Sequence, residues 1–247
     1  MDMTHPLPAR VRILGEPIDL VTPAAVMGFT ARRVAGRQKG LVLDHDGYSL
    51  ALAQRSPAVR AAYARADLVG PGSSAVVTWG RLTTKPLRRG SRAAYRHWRD
   101  DFWRLASRHG WRVALLSDTP GIAGRAAHRL ATDGQGVEIA AYDDDAGGAL
   151  DAINDFRPDV LLIDLDAERQ AGWIRDCYGA LDCGVVLTAQ GGFVHEAGAE
   201  RDAQVDLPAL VDRWLVAPLS LVPAMSRDVL DAFEARESRA NTGIRIY

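Results

Sequence analysis

Cysteine is nearly missing from this chain of 247 residues: Cys177 and Cys183 stand alone, with no Cys-x-x-Cys spacing. A disulfide framework and a cysteine-built metal site are excluded. No charge of one sign dominates either, since 30 Lys and Arg face 31 Asp and Glu for a formal net charge of −1. Nothing therefore pulls the whole molecule toward nucleic acid or an anionic surface, and no nucleic-acid partner is expected. Apolar runs stay well short of the roughly 20 residues that a membrane span needs. Residues 1–10 lack the apolar centre of a signal peptide, so a reduced, cytoplasmic compartment is the expectation. Phosphate-binding signatures are thin as well: Gly-x-x-x-x-Gly-Lys-Ser is not found, and Gly72 alone makes no dinucleotide fingerprint.

What is present is 47% hydrophobic residues, enough for one generous α/β core. The stretch Pro158-Asp159-Val160-Leu161-Leu162-Ile163-Asp164-Leu165-Asp166-Ala167-Glu168-Arg169-Gln170 reads as strand, polar loop and helix. Its apolar run does not alternate, which suits a strand covered on both faces in a parallel sheet. Similar units recur. Strands are expected near 11–14, 41–43, 67–70, 112–116, 137–141 and 182–187, with helices from Thr22-Pro23 to about 35, from Ser56-Pro57 to about 66, and over 122–131 and 148–156. Strand and helix alternating through short joins predict an α/β, Rossmann-like, doubly wound and mainly parallel sheet with helices on both faces. This domain is expected to span 1–205. Residues 206–247, with helices over 207–216 and 227–236, then form a C-terminal helical appendage.

Open α/β sheets bind ligands outside the carboxyl ends of their strands. That placement singles out Asp44-His45-Asp46, the small-residue loop with Gly72 and Ser73, Asp118, the acidic pair Asp164 and Asp166 with Gln170, and Gln190. Two carboxylates flanking an imidazole disfavour joint ionisation unless donors or a cation attend them. His45 is then a base or ligand, or Asp46 caps the next helix while His45 packs. Asp164 and Asp166 carry the same choice between capping and substrate contact. The triplet Asp143-Asp144-Asp145 lacks calcium-loop spacing and reads as solvated. Basic residues concentrate over 85–99, where Arg92 is the candidate for a diphosphate contact beside a largely solvated face.

The order of several motifs resembles the bacterial WecG/TagA/CpsF glycosyltransferase family from Val11 to the C-terminus. The pieces are Ile13-Leu14-Gly15-Glu16-Pro17-Ile18-Asp19, Ala53-Gln54-Arg55-Ser56-Pro57, Ala66-Asp67-Leu68-Val69-Gly70-Pro71, Arg89-Gly90-Ser91, Leu115 to Gly121, Asp164 to Gln170, Gly191-Gly192 through Ala197-Gly198, and Arg213-Trp214-Leu215. The resemblance implies a Rossmann-like sheet that binds a UDP-sugar and transfers a hexose or N-acetylhexosamine to a glycan or lipid-linked acceptor. It also implies an appendage that makes peripheral contact with the inner face of the cell membrane. No cofactor or metal is required, although the paired aspartates are compatible with a divalent ion, and a homo-oligomer is compatible with the appendage.

Several family positions are changed. A Thr-x-Asn pair reads here as Asp44 and Asp46, the aspartate credited with catalysis is Gly72, glycines stand replaced by Asp164 and Asp166, and an aspartate after Gly-Ser is Arg92. Gln170 carries over. The sequence thus predicts a diverged transferase. Asp44 or Asp46, with His45, supplies the catalytic base. Gly72, Ser73, Arg92, Asp118, Asp164, Asp166, Gln170, Gln190 and Arg213 contact substrate. A non-catalytic binding subunit and a hydrolase acting on a glycoside or nucleotide are the alternatives.

Overall fold

In the computed structural model, residues 8–83, 86–87, 89–133, 136–144, 148–199 and 221–242 are described. The chain opens with a hairpin of β1 (Arg10–Ile13) and β2 (Glu16–Asp19). Its two-residue turn, Leu14-Gly15, has φ of 52° and 83°, the left-handed pair of a tight hairpin turn. The sequence predicts only the first of these strands. Pro17 reads as turn punctuation, and pairing between β1 and β2 is a contact that local pattern does not display.

Eight segments then follow, in which strands alternate with single helices or helix pairs. These are α1 (Pro23–Ala35), β3 (Gly40–His45), α2 (Gly47–Arg55), α3 (Pro57–Arg65), β4 (Leu68–Pro71), α4 (Ser74–Leu82), α5 (Tyr95–His109) and β5 (Arg112–Ser117). After them come α6 (Ile122–Thr132), β6 (Glu138–Asp143), α7 (Ala149–Phe156), β7 (Val160–Asp164), α8 (Ala167–Cys177), β8 (Val185–Thr188), the short α9 (Gly192–Glu196) and α10 (Val222–Thr242). Local chemistry sets the helix starts: Thr22 accepts from the Ala25 N–H at 3.2 Å ahead of Pro23, and Ser56 caps α3 ahead of Pro57.

Strands β3 to β8 form one parallel six-stranded sheet in the order β4-β3-β8-β7-β5-β6. Side-chain alternation divides the core cleanly. Val42, Leu68, Val113, Leu115, Leu162 and Leu187 point to the face covered by α1, α5, α6 and α9. Leu43, Val69, Leu116, Leu161, Ile163 and Val186 point to the face covered by α2, α3, α7 and α8. The unit β5-α6-β6 moves toward one sheet edge while β7-α8-β8 moves toward the other, so adjacent strands β5 and β7 flank a topological switch point. A crevice opens there, at the strand carboxyl ends.

A third, smaller apolar cluster joins the hairpin to α2, α4 and α10 through Ile13, Ile18, Leu50, Val76, Leu221 and Ala224. Its polar anchor is Asp228 of α10, which accepts from the Leu14 backbone N–H at 2.9 Å and the Trp79 indole N–H at 3.0 Å. The expected helix over 207–216 and Arg213 lie outside the described residues. Among the described residues no helix is long and apolar enough to cross a membrane.

Removing the Asp228 carboxylate strands one buried and one part-buried donor, and the loss of a buried one costs about 1 to 3 kcal/mol. Asp228→Ala should lower unfolding free energy by about 2 to 4 kcal/mol in urea titrations. Asp228→Asn, which keeps a carbonyl acceptor, should lose clearly less. Equal loss in both variants would show that charge rather than acceptor capacity matters.

Candidate active site at the strand carboxyl ends

The crevice at the switch point has a volume of about 250 Å³ and is lined by Asp46, Tyr48, Ser117, Asp118, Thr119, Asp164, Asp166, Gln190 and Gly191, among others. A second compartment of about 530 Å³ lies across the Gln190-Gly191 ridge, lined by Tyr95, Arg96, Arg99, Asp100, Gly192 and His195. Gln190 and Gly191 border both. Of the expected strand-end residues, Asp46, Asp118, Asp164, Asp166 and Gln190 line the crevice, whereas Asp44 and Gly72 line neither compartment.

Asp44 is the most perturbed carboxylate among them. It falls inside β3 rather than in the following loop, and its side chain is only 4% exposed. Thr188, at the end of neighbouring β8, donates its hydroxyl to Asp44 Oδ1. Burial pushes the carboxyl up to about 7, with Asp46 adding to the rise while the Thr188 hydrogen bond and the Arg96 charge oppose it. The other oxygen fills the space over Gly72. A Cβ placed on Gly72 would overlap Asp44 Oδ2 and stand 3.0 Å from its Cγ and 3.2 Å from the His45 carbonyl oxygen. Glycine at 72 is what lets the carboxyl lie there.

Asp46, Asp164 and Asp166 reach the crevice with much of their hydrogen-bonding capacity spent. Asp46 caps α2 by accepting from the Ser49 N–H at 2.8 Å, with Ser49 Oγ returning the contact to the Asp46 N–H at 3.0 Å. Asp166 caps α8 through the Glu168 and Arg169 N–H groups at 2.9 and 3.0 Å, while its own N–H donates to Asp118 at 2.9 Å. Asp164 accepts from Gly191 and Phe193 backbone N–H groups at 2.6 and 2.9 Å, tying β7 to the loop after β8. Burial nevertheless pushes Asp164 up to about 6.

Two expected crevice residues are turned inward. His45 alternates with Asp44 along β3 and is fully buried, stacked on Tyr63 with ring centroids 3.7 Å apart and with Nδ1 3.0 Å from Ser49 Oγ. Burial pulls its pKa down to about 3, so the ring stays neutral and away from the crevice. Gln170 is 1% exposed, on the α8 face that packs toward α2 and α3, and also misses the crevice. Helical periodicity carries it there, because it lies one turn past the Asp166 cap. Together with Tyr63, whose hydroxyl donates to the Asp44 carbonyl at 3.0 Å, these groups brace the end of β3 from behind.

Of the remaining expected residues, Gln190 borders both compartments and its amide lies 3.4 Å from the Asp44 carbonyl oxygen. Ser73 caps α4 beside Gly72 and lines neither compartment. Arg92 is half-buried and also lines neither; its charge, with that of Arg96, bears on His97. Sequence reading named the basic stretch without separating Arg96 from it. The signal was its place in the first turn of α5, at the mouth of the second compartment. Arg99, one turn on, is held by a two-pronged contact to Glu196, which also accepts from Tyr95 at 2.7 Å. Among the described residues, no group of three or more His, Cys, Asp or Glu is placed to hold a metal ion.

Comparison with known families returns a match over residues 11–214 to the model described as the glycosyl transferase WecG/TagA/CpsF family. Comparison with curated proteins returns no match.

The contact between Asp44 and Gly72 can be measured as a coupling. Overpacking typically costs about 1 to 3 kcal/mol, so Gly72→Ala should destabilise the parent by that much. In an Asp44→Ala background the same change should become neutral or mildly stabilising, because the added methyl then enters vacated space. Additive effects across the four proteins in urea unfolding would refute the overlap.

Proposed function

This chain belongs to the glycosyl transferase WecG/TagA/CpsF family, and from that premise we propose that it transfers a hexose or N-acetylhexosamine from a UDP-activated donor to a hydroxyl of a glycan or lipid-linked acceptor. The bond from the sugar's anomeric carbon to the diphosphate breaks, its electron pair leaving with the diphosphate. The acceptor oxygen forms the new bond, and its proton passes to a carboxylate. Asp44 is that carboxylate. The observation that carries this reading is the Asp44 carboxyl lying in the space that a side chain at position 72 would otherwise fill. A base lost from the end of β4 is thus replaced from the end of β3, one strand over.

Its raised pKa suits the role, since a general base works best when its pKa lies near the operating pH. Asp44 is 4% exposed, so on this reading Gln190, whose amide lies 3.4 Å from the Asp44 carbonyl oxygen, has to move aside for the acceptor. The acidic crevice with Asp46, Asp118 and Asp166 offers acceptors to sugar hydroxyls.

Base catalysis needs ionised Asp44, so kcat should rise with pH through an apparent pKa near 7. Asp44→Asn should remove that limb and lower kcat by about 10²–10⁴-fold with UDP affinity nearly unchanged. In the double variant Asp44→Thr with Gly72→Asp, the carboxylate returns to β4 and part of the rate should return with it. Full activity in Asp44→Asn together with loss in Asp46→Asn would assign the base to Asp46. Binding of UDP-sugars without any turnover by the parent would favour a binding subunit.

The lipid-linked class of acceptor is supported by the α4 and α10 side, where Leu82, Val222, Val229 and Leu230 are exposed beside Trp79. Peripheral membrane contact through this apolar face brings the acceptor to the enzyme. Leu230→Asp should reduce co-sedimentation with phospholipid vesicles and leave transfer to a water-soluble acceptor intact. Unchanged sedimentation would remove this face from the membrane contact.

A further inference from the structure

The two compartments differ in charge in a way that assigns the parts of a donor. Among the described residues, the crevice between β5 and β7 is bordered by four carboxylates, Asp46, Asp118, Asp164 and Asp166, and by no basic side chain. A diphosphate placed there would meet repulsion in a site partly shielded from solvent. The larger compartment beyond Gln190 is bordered by Arg96, Arg99 and His195, with Asp100 as its one carboxylate. Arg99 is already committed, since it binds Glu196 with two nitrogens and Asp100 with the third at 2.8 Å. Arg96 is exposed, and among the described residues it makes no hydrogen bond or ion pair of its own.

We propose that Arg96 is the residue that binds the diphosphate of the donor, in the compartment between α5 and the Gly191-Gly192 turn, while the acidic crevice across the ridge takes the hydroxyl-rich portion. The inference rests on the transferase reading and deepens it. The guanidinium presents paired donors that match two phosphate oxygens, which an isolated lysine does not. Its position also couples binding to chemistry. The ridge of Gln190 and Gly191 is common to both compartments, and Gln190 contacts the Asp44 main chain. On this proposal the sugar end of a diphosphate held on Arg96 lies over this ridge, toward the β3 terminus. As the leaving group gains charge, Arg96 stabilises it in place.

The charge of Arg96 is also felt at Asp44, where it favours the ionised form. Two separate readouts follow. In calorimetric titrations at low salt, Arg96→Gln should weaken UDP binding by about 10- to 100-fold, the range for losing a hydrogen bond to a charged partner. Uridine, which lacks the diphosphate, should bind the parent and the variant alike. Arg108→Gln, which removes the same charge at the far end of α5, should leave UDP affinity unchanged. The pH limb of kcat in Arg96→Gln should move upward from that of the parent, because Asp44 loses a favourable neighbour. A mere packing role for Arg96 would move neither the UDP-over-uridine preference nor the pH limb. Equal UDP affinity in Arg96→Gln and Arg108→Gln overturns the inference and leaves the transferase reading standing. A parent protein with no measurable affinity for UDP or other nucleoside diphosphates overturns both.

Discussion

A carboxyl group buried between three strands sets the terms for the rest of this molecule. Asp44 lies at the end of β3 with Thr188 of β8 donating to one oxygen and the open space above Gly72 of the β4 end receiving the other. Such a group is costly to bury charged, and the fold answers with partial neutralisation: the pKa climbs to about 7. A folded-state pKa above the ordinary carboxylate range means that the folded protein binds more protons than the unfolded chain between roughly pH 4 and 7. Asp44 thus contributes stability at acid pH that is lost as pH rises through about 7. On the transferase reading this is the same pH range in which the ionised base becomes available, so stability and activity draw on one proton in opposite directions.

The surroundings of Asp44 serve to hold it at that point. Tyr63 fixes the Asp44 carbonyl from α3, His45 stacks on Tyr63, and Ser49 joins His45 to the capping box of α2. This brace sits on the opposite side of β3 from the carboxyl, as strand alternation requires. A neutral buried imidazole suits it, because a charged ring there would further destabilise the core. The cluster that looks most like catalytic machinery in the sequence, two carboxylates around a histidine, therefore divides by strand geometry. Asp44 goes to one face, His45 to the other, and Asp46 to the helix start.

Legibility in the sequence follows the range of the forces involved. The helix starting at Thr22-Pro23 is expected to end near residue 35 and runs Pro23–Ala35, because capping and proline placement act within four residues. The parallel sheet is legible from unalternated apolar runs, and it carries the prediction that strand ends share one crevice. What local pattern does not show is where a strand stops once tertiary contacts extend it, so Asp44 and His45 read as loop although both lie in β3. Nor does it show that Gln170 points inward, since a polar residue on α8 reads as exposed until α2 and α3 cover it. The capping reading of Asp46 and Asp166 is local, and the structure gives it in full, alongside their place at the crevice.

The aspartates at 164 and 166 have a physical meaning of their own. Backbone N–H groups at loop and helix starts ordinarily offer an anion its binding site. Here the chain supplies its own anions: Asp164 takes the Gly191 and Phe193 N–H groups, and Asp166 takes those of Glu168 and Arg169. Donors occupied by an internal carboxylate are unavailable to phosphate unless that carboxylate moves, and Asp164 also holds β7 to the turn after β8. On the transferase reading, recognition of a charged donor then falls to side-chain charge outside the acidic crevice. Arg96 and Arg99 of α5 are the described arginines that border the adjoining compartment. A fold whose strand-end N–H groups are taken by its own aspartates can thus bind an anion only by dividing the labour between an acidic crevice and a basic neighbour.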